Sequence, residues 1–65
     1  MQIVEEMRVQ FKILADLYPE YIGELIIALL EYKEGLHPDP DDLHPAVRDL
    51  FLYWTRPDNL SRIFP

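Results

Sequence analysis

The residues best equipped for chemistry lie in "LHPDPDDLHPAV", residues 36–47, where His37, Asp39, Asp41, Asp42 and His44 place two imidazoles and three carboxylates within eight positions. Nitrogen and oxygen donors of these types hold divalent ions. The spacing argues against it. A helix-loop-helix calcium loop needs glycine at its sixth place and glutamate at its twelfth; counted from Asp39, those places hold His44 and Leu50. The histidines stand seven apart in no common zinc spacing, and the proline after each holds its backbone extended. The same residues make good punctuation. Each proline opens a turn or a helix, Asp39 is placed to cap a turn beginning at Pro40, and Asp41 and Asp42 sit near the positive end of a following helix. Leu36 and Leu43 would pin the loop to the core. The stretch reads as a preorganised connection, and no metal ligand is assigned.

Other chemistry is thin. Thr55 and Ser61 are the hydroxyl candidates for a nucleophile, with no histidine placed to activate either. The two glycines stand alone, so no phosphate-cradling loop exists. Glu20, Glu24, Glu31 and Glu34 form an acidic face of one helix, a solvated row rather than a pair set for general acid-base work. The reading is of a protein that is not an enzyme, with no catalytic residue, cofactor or metal.

Helices must position these groups. Ile3, Val4, Met7, Phe11, Leu14 and Leu17 recur at spacings of three and four, which predicts an amphipathic helix over 2–17, ended by Tyr18-Pro19. Pro19 at the start and Gly35 at the end predict a second helix over 19–34. Its apolar arc approaches ~200°, about twice what one supporting surface requires, so it has at least two neighbours. Gly23 within it marks a close approach by another helix, and Ile27 stands alone among the glutamates. Val47, Leu50, Phe51 and Trp54 predict a third helix over 45–55, and Pro57 breaks it before a short turn over 58–63. The fold class expected is all-α: one domain over 1–65, a compact three-helix bundle with a Pro/Asp-rich loop at 36–44.

Composition narrows the function. A chain of 65 residues buries only about 60% of its unfolded surface, and without cysteine it has neither disulfides nor thiolate zinc sites for support. Self-association or an efficient helical core must substitute. A formal charge of −6 repels phosphate backbones, so direct nucleic-acid binding is not expected. Arg48, Arg56 and Arg62 would neutralise too few phosphates to reverse that. The longest apolar run, "LIIALL", is far short of the ~20 residues of a membrane span, and "MQIVEEMR" lacks a signal-peptide layout. A soluble, cytoplasmic protein is expected.

Eight aromatic residues exceed what three short helices can enclose. An exposed patch of Tyr53, Trp54, Ile63 and Phe64, with Ile27 as a further contact, is expected to serve a homodimer or another protein, since tyrosine and tryptophan dominate binding hot spots.

The stretch "LADLYPEYIGELIIALLEYKEGLHPDPDDLHPAVRDLF" resembles a small all-helical domain of phage and plasmid replication-associated bacterial proteins. In that family an L-P-(D/E)-x-x-G-x-L helix runs into A-L-x-x-Y-x-x-G, followed by a variable loop and an A-V-x-x-x-F helix. Leu17, Pro19, Glu20, Gly23, Leu25, Ala28, Leu29, Tyr32, Gly35, Ala46, Val47 and Phe51 carry the match, within residues 11–54. The family's third helix continues into a polar segment and further domains, whereas "YWTRPDNLSRIFP" interrupts it here, so a role requiring a C-terminal domain is not implied. The resemblance implies a mobile-element origin and an accessory role, and it carries over no catalytic residue, since the family has none assigned.

Two functions are expected from these features. The first is a non-catalytic interaction module of phage or mobile-element origin that docks on a replication-related or other host protein and pairs with itself. The second is a small acidic inhibitor, of the anti-defence or anti-CRISPR type, whose glutamate stripe imitates nucleic acid and blocks a nuclease or polymerase.

Overall fold

The computed structural model describes all residues, Met1–Pro65, and holds four α-helices rather than three. These are α1 (Glu5–Leu17), α2 (Ile22–Lys33), α3 (Pro45–Trp54) and α4 (Pro57–Ile63), with single 3-10 turns at Pro19–Tyr21 and Pro40–Asp42. The segment expected as a terminal turn is a helix because of its proline. Pro57 holds Arg56 extended (φ −63°, ψ 139°), which breaks the chain cleanly from α3 and supplies a preset first helical residue. Asn59 then fixes α4 to α3. It is buried, its Nδ2 donates to the Tyr53 carbonyl at 2.9 Å, and its Oδ1 accepts from Arg62.

The first helix starts at Glu5, three residues later than its periodicity suggests, with Val4 extended before it. Residues before Glu5 are used differently: the Gln2 N–H donates to the Ile63 carbonyl at 2.7 Å, tying the N-terminal segment to the end of α4. Pro19 opens a 3-10 turn before α2 rather than α2 itself. At the other end, Gly35 has φ +92°, its N–H donates to Tyr32 and the Leu36 N–H donates to Glu31. That pair of bonds is a Schellman cap, which needs the left-handed conformation glycine adopts without strain.

Nine residues form the core: Met7, Leu14, Leu25, Ala28, Leu29, Val47, Phe51, Trp54 and Ile63. The second helix meets both α1 and α3, as its wide apolar arc requires. The Cα extents are 28 × 27 × 15 Å; with helix axes about 8–10 Å apart, the short dimension fits only two helices. A slab this thin cannot cover both faces of each helix. Ten large hydrophobic side chains are therefore exposed, among them Val9, Ile13, Leu17, Ile27 and Leu52.

Candidate functional site

The Leu-His-Pro stretch builds the connection between α2 and α3. Asp39 Oδ1 accepts from the Asp41 N–H at 3.0 Å, capping the 3-10 turn that Pro40 opens. His44 performs the same task for α3: its Nδ1 accepts from the Ala46 N–H at 3.2 Å. Its ring is stacked on Tyr21 with centroids 4.3 Å apart and tilted against Tyr18 at 4.8 Å. His37 lies separately, edge-on to Tyr32. No three acidic or histidine side chains of the chain converge as a metal site would need. Leu43 packs on the core but Leu36 does not; it is 55% exposed, so only one of the two leucines pins the loop. Replacing His44 with alanine removes the cap and is expected to lower stability by about 1 kcal/mol, read as a lower urea midpoint with an unchanged m-value.

The patch expected from Tyr53, Trp54, Ile63 and Phe64 is closed. Trp54 and Ile63 are fully buried, because α4 folds back across the end of α3 and lays both into the core. The Trp54 Nε1–H donates to Gln10 Oε1 at 2.6 Å, and the Arg62 guanidinium lies over the indole at 5.1 Å. Phe64 is half-buried, with Lys33 Nζ 5.6 Å from its ring centre. Tyr53 is half-buried and its hydroxyl donates to Glu6, which also accepts from Arg62 Nη1 at 2.8 Å. These contacts join α1, α3 and α4 at one end of the slab.

That cluster has an acid-base consequence. The Tyr53 hydrogen bond, then Arg62, hold the Glu6 carboxyl below the usual carboxylate range, while the bond to Glu6, with desolvation second, pushes the Tyr53 phenol up. A carboxyl with a depressed folded-state pKa contributes stability above its unfolded value, and the contribution disappears as pH falls through the folded one. Glu6→Gln is therefore expected to flatten the acid limb of stability, below about pH 5, to leave its shape near neutrality as it was, and, by relieving the raised Tyr53 phenol, to flatten the alkaline limb above about pH 10 as well; urea unfolding across pH checks it.

Exposed apolar surface lies elsewhere, between α1 and α3. With α1 held to α3 and α4 near its N-terminal end and to α2 through the 3-10 turn at the other, a groove of about 300 Å³ opens beside its last turns. Leu14, Ala46 and Leu50 form its floor. Ile13, Leu17 and Tyr18, exposed at 56%, 66% and 39%, form a wall along α1. Gln10 and Asp49 complete the rim, and Asp49 is the one charged lining residue. Ala46 helps to open the groove, since a methyl group cannot reach across to α1.

No family model, curated protein or solved structure matches the chain. The groove is therefore interpreted from its own chemistry.

Sequence reasoning missed this site because it assigned one core face to α1 and took Leu17 into it. A signal was present. Val9, Ile13 and Leu17 recur at intervals of four along the same helix, a second apolar row that a thin slab leaves uncovered. Glu24 and Glu31 lie on α2, with Glu20 and Glu34 just beyond its ends; Ile27 stands among them at 57% exposure, and Gly23 is not a close-packing site: a Cβ there would meet nothing within 4 Å. No helix is long and apolar enough to cross a membrane.

Proposed function

We propose that this chain is a non-catalytic protein-interaction module that pairs with a second copy of itself through the groove between α1 and α3. The observation that carries the proposal is the exposed Ile13-Leu17 ridge beside the apolar Leu14-Ala46-Leu50 floor. A two-fold interface must be self-complementary, and a ridge next to a groove on one face meets that need: each copy's ridge fills the other's groove. Charge opposes such pairing least on this face. Two bodies of net charge −6 repel, and this face carries a single lining carboxylate, Asp49, with Arg48 Nε 3.9 Å from it. A core of only nine residues also leaves folding to gain from burial between copies.

The likeness of residues 11–54 to a replication-associated helical domain supports a further partner among replication or other host proteins of a bacterium carrying a mobile element, and with it a cytoplasmic setting. Sedimentation equilibrium tests the central reading. The wild type is expected to dimerise with rising concentration, and the double variant Ile13→Glu/Leu17→Glu to remain monomeric with an unchanged helical circular-dichroism spectrum. A wild type that stays monomeric into the high micromolar range would overturn it.

A further inference from the structure

A second depression, of about 510 Å³, lies where α2 faces the 36–44 connection. Ile27, Ala28 and Leu43 give it an apolar floor, and Glu24 and Glu31 flank Ile27 at positions i−3 and i+4 on the same helix face. Neither glutamate has a basic partner in the chain, whose ion pairs are Arg8–Glu5, Arg48–Asp49 and Arg62–Glu6. Glu20 and Glu34 extend the row beyond both ends of α2, over roughly 20 Å. Gly23 opens the groove further. Nothing in the chain approaches the place of its missing side chain, so its glycine is unexplained by internal packing, and glycine within a helix is otherwise unfavourable.

We propose that this groove binds an amphipathic, cationic helix of a protein partner, with the apolar face on Ile27 and Leu43 and lysines or arginines against Glu24 and Glu31. Laying an amphipathic helix into a groove requires an apolar seat with complementary charges alongside, and the α2 face has both. A second copy of this chain is unsuited to it, because Glu24 and Glu31 flank the seat itself and a body of net charge −6 brings them little counter-charge. Nucleic acid is repelled by the same carboxylates. Gly23 allows the partner helix to come close without a Cβ in its way. The inference rests on reading the chain as a binding module but uses a different face from the α1–α3 groove.

The test is fluorescence anisotropy with a labelled synthetic peptide of lysine and leucine arranged as an amphipathic helix. It is titrated with wild type and, separately, with Ile13→Glu/Leu17→Glu, so that failure of self-association and failure of this groove are read independently. Saturable binding of similar strength to both is expected. Ile27→Ser, Glu24→Gln/Glu31→Gln and Gly23→Leu are each expected to weaken it roughly tenfold. Gly23→Leu should at the same time raise the thermal midpoint, because a good helix former replaces glycine, which separates lost binding from lost fold. A peptide of the same composition scrambled to lack an apolar face should bind much less. The proposal is overturned by absence of binding, by equal binding of the scrambled peptide, or by Ile27→Ser and Gly23→Leu leaving binding unchanged; the last two outcomes reduce the face to a general attractor of polycations.

Discussion

Trp54→Ala is expected to remove about 3–5 kcal/mol of stability, against the roughly 3–10 kcal/mol that a chain of this length possesses. Trp54 is fully buried and is the largest such side chain in the core. It ties α1 and α4 to α3: Gln10 of α1 accepts from its Nε1–H, Tyr53 lies edge-on at 5.1 Å, and Arg62 of α4 lies over its ring. Removing it leaves a cavity that the backbone of two short helices cannot collapse around. Trp54→Phe separates volume from polarity. It keeps most of the packing and loses the hydrogen bond to Gln10, for an expected loss nearer 1 kcal/mol. Urea unfolding followed by circular dichroism reads both variants, and equal losses from the two would contradict the cavity account.

Ile63→Ala is the second large effect, expected at about 2–4 kcal/mol. The loss should be the same at low and high protein concentration when measured in the Ile13→Glu/Leu17→Glu background, because Ile63 belongs to the core of one chain and not to a contact between chains. It also should uncouple the N-terminal segment, whose Gln2 N–H bonds to the Ile63 carbonyl; earlier hydrogen exchange at Gln2 in the variant is the accompanying signature. A loss that vanished on dilution would return Ile63 to an interface.

These two residues also show where sequence reading succeeds and where it stops. The periodicities that marked Met7, Leu14, Val47 and Phe51 as inward-facing are local, and proline and glycine punctuation located the ends of α2 and α3 within a few residues. Asp39 and Gly35 were legible for the same reason, since a cap is made with neighbours in the chain. The destination of α4 was not legible. Whether Ile63 and Trp54 face solvent or each other's helix depends on how a seven-residue helix folds back after Pro57, and that is decided by contacts across more than forty positions, such as Tyr53 with Glu6 and Trp54 with Gln10. With α4 counted as a turn, too few helices remained to cover the aromatics, and the surplus was assigned to an outer patch. The real surplus follows from the slab's thickness, a tertiary property, and falls on the second apolar row of α1. Gly23 failed in the opposite sense: its type suggested tight packing, and the fold leaves it open.

The central claim, that the α1–α3 groove is where one copy meets another, is tested most directly by a dilution series followed residue by residue in ¹H–¹⁵N and methyl NMR spectra. The account predicts concentration-dependent shifts and broadening at Ile13, Leu17, Ala46 and Leu50, with Ile27 and Leu43 on the α2 face unmoved. Shifts confined to the α2 face, or spectra that do not change from dilute to millimolar protein, would contradict it.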